Sequence, residues 1–305
     1  MLIEDQKLPG RSRAKDVVIN GELLDRVFNI DAAESKSCSQ VWATGKYTQL
    51  HLGSYENPDL KTIECLNDFE NIEKIHIMLN HKVDVSPLER HANTLIEYFC
   101  NDDFNPIVNC EKYLKLRSLG QIWNQKMTFA SSHPQLHRLS LFKYCPKSNK
   151  DIDELPVAPN LKVLALLRSC IKTLDRIDKY GHLEKLVITF GKYLTAVGSL
   201  AHCHHLKIFE LDGCKNINDL QETLSKCSRL ERLVLMKVSA LENIQFVEHM
   251  PNLKWLNLMD TNVVDGDMSP LLRHPSLEYA VFTSKKHFSH TEAQVRAALQ
   301  AKKKG

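Results

Sequence analysis

The sequence has no run of about eighteen consecutive apolar residues, which is the length that a membrane-spanning helix requires. Its first residues include Glu4 and Asp5, where a secretory signal peptide has a basic start followed by a long apolar segment. These two absences lead us to expect no membrane association and a location in the cytoplasm.

Glycine is scarce, with 11 residues in a chain of 305, and none of the glycines stands in a phosphate-binding pattern. The chain contains no G-x-x-x-x-G-K-[ST], no G-x-G-x-x-G and no H-E-x-x-H. The G-x-S-x-G elbow and the protein-kinase signatures are absent as well. We therefore expect a chain that is not an enzyme, with no catalytic residues and no cofactor.

The chain also lacks a strong excess of one charge sign. It has 40 lysines and arginines against 37 acidic residues, a formal net charge of +3. Three of the cations form the C-terminal run Lys302–Lys304. Nucleic-acid binders usually carry a concentrated basic face, so these totals predict no nucleic-acid partner.

Cysteine is not scarce, but its arrangement argues against disulfides. The chain has 9 cysteines, an odd number, and they are widely spaced. A disulfide framework is typical of short secreted chains with an even number of closely spaced cysteines. We therefore expect reduced thiols.

An internal repeat is the main positive feature of the sequence. The pattern L-x-x-L-x-L, or a close variant, occurs seven times, and successive copies begin 22 to 25 residues apart. The first positions of these copies are Leu136, Leu161, Leu183, Leu206, Leu230, Leu253 and Leu277. One such hexamer arises easily by chance, whereas a long series at a nearly constant period indicates a repeat protein.

Weaker copies begin at Tyr47, Ile72 and Leu95, but no register is convincing between residues 80 and 135. The expected total is about ten or eleven repeats. We predict an N-terminal cap over 1–40 and a repeat solenoid over 41–285, with the clear repeats in 136–285. A C-terminal capping helix, begun by Thr291 as N-cap, and a basic tail fill 286–305.

These repeats resemble leucine-rich repeats, and their period is most similar to SDS22-like proteins and to bacterial cytoplasmic leucine-rich-repeat proteins. The asparagine that usually follows the strand is replaced, in successive clear repeats, by Ser169, Gly191, Cys214, Val238 and Thr261. The resemblance implies an α/β fold, a curved horseshoe with a parallel β-sheet on its concave face. Stacked repeats would bury the leucines that one repeat alone leaves exposed.

Positions 3, 5 and 7 of each repeat point away from the leucine core, because side chains alternate along a strand. From Val163 to Thr283 these positions number eighteen, and eleven are apolar or aromatic. A contiguous apolar surface usually marks an interface. The predicted partner-binding residues are Leu167, Lys185, Ile208, Glu210, Asp212, Arg232, Met236, Trp255, Asn257, Met259 and Tyr279. The strand preference of valine is the competing explanation, and it accounts poorly for tryptophan and methionine.

The run from His202 to His205 contains residue types that bind metals. However, Cys203 lies three residues before a repeat leucine, and the same slot holds Cys227, Met250 and His274 in later repeats. A structural role explains this periodicity better, so we predict no metal site.

These observations predict a non-enzymatic module that grips another protein on its concave face. The resemblance to bacterial leucine-rich-repeat proteins implies its most specific form, an immunity-type protein that neutralises a toxin by occlusion. The alternative is an SDS22-like regulatory or scaffold subunit of an enzyme such as a phosphatase or a ubiquitin ligase. A homodimer formed through the same apolar face is a further alternative.

Overall fold

The computed structural model of the chain describes residues 8–19, 22–100, 107–147 and 151–303. The start of the predicted N-terminal cap and the last two residues of the basic tail lie outside these ranges. The chain forms two compact units, Met1–Leu136 and His137–Gly305. No helix in the described ranges is both long and apolar enough to cross a membrane.

The first unit begins with an antiparallel hairpin, and parallel strands follow it. The hairpin strands are β1 (Arg13–Ile19) and β2 (Glu22–Asn29), and helix α1 (Ser35–Trp42) comes next. Strand β2 pairs in parallel with the first of four strands, which neighbour one another in chain order. These strands are β3 (Gln49–Gly53), β4 (Lys74–Met78), β5 (Glu97–Cys100) and β6 (Ser118–Ile122).

Strand β6 gives the repeat that the sequence left without a register. Its first position is Leu116, and its inward positions are Leu119 and Gln121 rather than two leucines. Gln121 is fully buried, and its amide group accepts from Ile107 N–H at 2.8 Å and donates to Ile107 C=O at 3.0 Å. A buried glutamine is tolerated here because its polar atoms are hydrogen-bonded.

The second unit consists of seven parallel strands in chain order, one for each clear repeat. They are β7 (Arg138–Phe142), β8 (Val163–Leu167), β9 (Lys185–Thr189), β10 (Ile208–Asp212), β11 (Arg232–Met236), β12 (Trp255–Leu258) and β13 (Tyr279–Phe282). Short segments connect them, including α2 (Leu220–Leu224), α3 (Ser269–Arg273) and several 3-10 turns. The pairing places equal repeat positions opposite each other on neighbouring strands.

The leucine positions form the core of the second unit. Leu233 and Leu235 on β11 are 0 % exposed, as are Leu186 and Ile188 on β9. Burying an aliphatic side chain of this size contributes about 1.5–3 kcal/mol. The predicted inward and outward faces are therefore confirmed, because a slip of one residue would exchange them.

Helix α4 (Glu292–Lys302) follows the last strand and contacts it. Thr291 is its N-cap, as predicted, and forms a capping box with Gln294. Val295 and Leu299 are the buried residues of this helix. These contacts fit a helix that covers the last repeat, although the division of the chain into caps and solenoid stays a prediction.

One disulfide contradicts the expectation of reduced thiols. Cys145 and Cys170 are bonded, with their Cα atoms 4.7 Å apart. Both occupy the tenth position of their repeats, and the parallel register brings equal positions of consecutive repeats within disulfide reach. The expectation is therefore wrong for this pair, while the other seven cysteines form no disulfide.

Six of the seven strands of the second unit end in a common backbone conformation. At repeat position 8, φ is positive in Lys143, Arg168, Phe190, Gly213, Lys237 and Asp260. The N–H of Lys143 donates to the carbonyl of Leu167 on the next strand at 2.7 Å, and the N–H of Arg168 donates to Thr189 at 2.7 Å. This left-handed turn lets the chain leave the sheet while its last N–H stays paired. Only Gly213 adopts the conformation without a Cβ penalty.

We expect Gly213→Ala to lower the free energy of unfolding by about 1–2 kcal/mol, because φ is +69° and the new Cβ would lie 2.9 Å from a ring carbon of Phe190. Urea unfolding measures the change. Gly181→Ala is the matched control, since its Cβ meets nothing within 4 Å. Equal unfolding midpoints for the two variants would contradict this account of the turn.

Candidate functional site

All eleven predicted partner-binding residues lie in the second unit, on one side of strands β8 to β13 or directly after them. We call this side, which bears repeat positions 3, 5 and 7, the open face. None of the eleven side chains is buried. Val234 is the exception on the same face, since it is 7 % exposed. The structure thus places the predicted set on one accessible surface, and its binding role stays a prediction.

The last two strands of the open face carry an aromatic pair. The rings of Trp255 and Tyr279 are stacked, with centroids 5.7 Å apart and an angle of 13° between their planes. The guanidinium of Arg232 lies 3.9 Å from the centroid of the Trp255 ring. The register explains the arrangement, because these three residues hold position 3 of consecutive strands. Both faces of the indole ring are engaged, so its orientation is defined.

Ion pairs extend this arrangement across two further strands. The carboxylate of Glu210 on β10 accepts a hydrogen bond from Lys185 Nζ at 3.1 Å. The same carboxylate lies 3.3 Å from Nε of Arg232. These five residues, Lys185, Glu210, Arg232, Trp255 and Tyr279, form what we call the ladder across β9 to β13. Glu210 holds the guanidinium that stacks on Trp255, so the aromatic pair and the charged pair support each other.

The other predicted residues lie at different distances from the ladder. Met236 and Met259 hold position 7 on the two strands that also carry Arg232 and Trp255, and they therefore adjoin the ladder. Asn257 accepts a hydrogen bond from the N–H of Met259 at 2.8 Å, so its side chain is engaged by the backbone. Leu167 lies apart, because β9 and β10 separate its strand from that of Met236.

Ile208 and Asp212 flank Glu210 on β10. Ile208 lies between Lys185 and Arg232 in the row of third positions. Oδ1 of Asp212 is buried and has no hydrogen-bond partner among the residues that the structure describes. A buried carboxylate oxygen without a donor costs folding free energy.

The equivalent face of the first unit carries polar residues that are not among the eleven predicted ones. His76 Nε2 lies 2.7 Å from the carboxylate of Glu97, and His51 is hydrogen-bonded to Asn29. Burial, together with the neighbouring His76, lowers the pKa of His51. The sequence already indicated this polar cluster, because the fifth positions of the weaker repeats are His51, His76 and Phe99.

Cys203, in the run from His202 to His205, occupies a position that recurs in later repeats. Burial raises the pKa of Cys203 to about 12, and that of Cys227 to about 11. His274, in the same slot, is buried, and its Nε2 lies 3.1 Å from the carbonyls of Val247 and Met250. Among the described residues, no group of three histidine, cysteine or acidic side chains could hold a metal ion.

No family model matches the sequence, and no curated protein matches it. Solved structures do match. An internalin from Listeria monocytogenes superposes with a TM-score of 0.51 at 15 % identity, over 88 % of this chain and 78 % of the internalin. The functional domain of InlJ from Listeria monocytogenes gives a TM-score of 0.51 at 17 % identity, over 82 % of this chain and 56 % of that chain. The chain has the leucine-rich-repeat fold. Identities this low establish the fold and leave function to the residues of this chain.

Two turns of the second unit are satisfied by side chains other than the usual asparagine. Oγ1 of Thr261 donates to the carbonyl of Leu235 at 2.7 Å and accepts from the N–H of Val238 at 3.3 Å. Sγ of Cys214 donates to the carbonyl of Ile188 at 3.7 Å. Threonine and cysteine thus take over the side-chain-to-backbone hydrogen bonds, as expected from the substitutions at this position.

Proposed function

We propose that this leucine-rich-repeat chain is a non-enzymatic module that binds a protein partner on the open face of its second unit. The observation that carries the proposal is the stacked pair of Trp255 and Tyr279, half-exposed and set in place by Arg232. Tryptophan, tyrosine and arginine are the residues most enriched among those that dominate binding energies. Their clustering on an accessible sheet face fits an anchor for a partner.

Preorganisation adds to the support. A side chain that is already held in its bound orientation loses less conformational entropy on association. Glu210 fixes Arg232, and Arg232 lies on Trp255, so the anchor needs little rearrangement. Met236 and Met259 border the anchor with apolar surface that can adapt to a partner. A merely solvated sheet face would carry polar side chains at these positions.

In its specific form, the proposal is occlusion. The module would act as an immunity-type protein that neutralises a toxin by covering its active surface, which an extended, preorganised face is suited to do. The alternative is an SDS22-like regulatory or scaffold role with an enzyme as the partner. The identity of the partner distinguishes the two roles. A cytoplasmic location stays part of the proposal. The seven cysteines that form no disulfide support it, and the Cys145–Cys170 disulfide opposes it.

We expect Trp255→Ala to weaken partner binding by about 1–2 kcal/mol or more, which is roughly a five- to thirty-fold rise in Kd. The partner is first captured from a host lysate with the wild-type chain, and Kd is then measured by calorimetry with purified partner. Capture is expected to fail with Trp255→Glu combined with Tyr279→Glu.

The matched control is Tyr55→Ala in the first unit. Tyr55 is exposed and also lies against an arginine, with Arg13 at 4.0 Å from its ring centroid. Its replacement tests whether loss of any exposed arginine–aromatic pair weakens binding. An unchanged Kd for Trp255→Ala, or an equal loss for Tyr55→Ala, would count against the open face as the site.

A further inference from the structure

A line of positive charge runs along the edge of the second unit where the strands end. Repeat positions 8 to 12 in the five repeats from β7 to β11 contain seven lysines and arginines and no acidic residue. These seven side chains are all exposed. They are Lys143, Lys147, Arg168, Lys172, Lys192, Lys215 and Lys237, and we call this line the basic edge.

Three cations of the basic edge have no acidic partner among the residues that the structure describes. Within residues 137–147 and 151–303, no carboxylate lies within ion-pair distance of Arg168, Lys192 or Lys237. Two of them approach aromatic rings instead. Arg168 lies 5.9 Å from the ring centroid of Phe190, and Lys192 lies 5.7 Å from that of Tyr193.

The opposite ends of the same strands show the contrasting arrangement. Position 2 alternates in sign along the unit, through Lys162, Glu184, Lys207, Glu231, Lys254 and Glu278. Neighbouring charges in this row pair with one another, at 3.1 Å between Lys162 and Glu184 and at 3.9 Å between Lys254 and Glu231. We call this row the paired edge. One end of the sheet therefore neutralises its own charge, while the other presents positive charge to solvent.

Two exposed aromatic rings lie within the basic edge. Phe190 is 51 % exposed and Tyr193 is 48 % exposed. Phe190 also has a φ of 52°, a conformation that disfavours bulky residues and that glycine adopts at the equivalent position of the next repeat. This φ is shared with position 8 of the neighbouring repeats and belongs to the turn, so the feature that fits a binding surface is the exposure of the two rings.

We propose that the basic edge binds an extended acidic segment of a protein. Five neighbouring strands at a spacing of about 4.8 Å span roughly 19 Å, which matches about six residues of extended chain at ~3.3 Å each. Carboxylates of the segment face Arg168, Lys192 and Lys237, and an apolar side chain contacts Phe190 or Tyr193. This surface is distinct from the ladder and does not depend on it.

Acidic residues beside the basic edge favour a protein over a nucleic acid. Asp212 directly precedes position 8 on β10, and Asp260 holds position 8 after β12. Both carboxylates would repel a continuous phosphate backbone, which carries a charge at every unit. A protein segment avoids this repulsion, because its carboxylates need to occur only opposite the cations.

The test is a titration of the full chain, at low salt, with a fluorescently labelled ten-residue peptide in which glutamates alternate with serines around one central leucine. We expect saturable binding that weakens as salt rises. Arg168→Gln, Lys192→Gln and Lys237→Gln, combined in one variant, are expected to weaken binding by about tenfold or more. The matched control combines Lys162→Gln, Lys207→Gln and Lys254→Gln on the paired edge. It lowers the net charge by the same amount and is expected to change binding by less than about twofold.

Four results would overturn the proposal. The first is no saturable binding to the wild-type chain, and the second is an equal loss in both triple variants, which would reflect net charge alone. The third is tighter binding of a labelled ten-nucleotide thymidine oligomer than of the glutamate peptide. The fourth is loss of peptide binding in Trp255→Ala, which would place the peptide on the open face. Unchanged peptide binding in Trp255→Ala supports the basic edge as the peptide site. This holds whether or not the same variant loses the partner proposed for the ladder.

Discussion

Leu233→Ala is expected to lower the free energy of unfolding by about 2–5 kcal/mol, the largest effect of any single substitution considered for this chain. Leu233 is 0 % exposed and lies between Phe209 and Leu256 on the neighbouring strands. Its truncation removes buried methyl groups and leaves a cavity. Because each repeat of a solenoid is stabilised by its neighbours, the cavity weakens the contacts with the repeats on both sides.

Urea unfolding followed by circular dichroism measures the effect of Leu233→Ala. Val187→Ala is the control, since it also shortens an aliphatic side chain but lies on the open face of β9, where it is partly exposed. We expect the control to cost less than about 1 kcal/mol, because a residue in contact with solvent leaves no closed cavity. Unfolding midpoints that coincide for both variants would show that the inward and outward positions are wrongly assigned.

Reduction of the Cys145–Cys170 disulfide is expected to lower the free energy of unfolding by about 2–4 kcal/mol. The bond joins residues that are 25 positions apart, and so restricts the unfolded chain over one full repeat. The measurement compares urea unfolding with and without dithiothreitol. Thiol titration of the denatured chain should give seven reactive groups before reduction and nine after it.

A variant without the bond provides the control for the reductant. The chain with Cys145→Ala and Cys170→Ala should unfold at the same urea concentration with and without dithiothreitol. Its stability should match that of the reduced wild-type chain to within about 1 kcal/mol, allowing for the two small side-chain changes. Two results would contradict the role given to this disulfide. One is nine reactive thiols in the untreated protein, and the other is a wild-type free energy of unfolding that does not change with dithiothreitol.

The repeats that the sequence predicted well are those in which both inward positions are apolar. In β9, Leu186 and Ile188 mark the strand and its buried face together, because burial along a strand follows a period of two. The prediction failed at β6, where Gln121 occupies an inward position. A glutamine there looks like a break in the pattern until Ile107 is seen to satisfy both of its polar groups.

The candidate site, like the fold, was predictable from the sequence only in part. Trp255 and Tyr279 could be placed side by side from the sequence, since they hold equal positions in consecutive repeats. The ion pairs of Glu210 with both Lys185 and Arg232 could not, because they depend on how three long side chains orient across neighbouring strands. Repeat position predicts adjacency, but it does not predict which of several adjacent groups pair.

The sequence by itself determined the repeat, the direction of the strands and the residues of the open face. These properties follow from where apolar side chains recur along the chain, which is local information. Repeat position places Cys145 beside Cys170, but only the tertiary structure decided that the two bond, and that the charges of one edge pair while those of the other do not. Both results depend on how side chains 20 or more positions apart in the chain orient across neighbouring strands. A cysteine count and a net charge of +3 are sums over the whole chain, and such sums carry no information about distance.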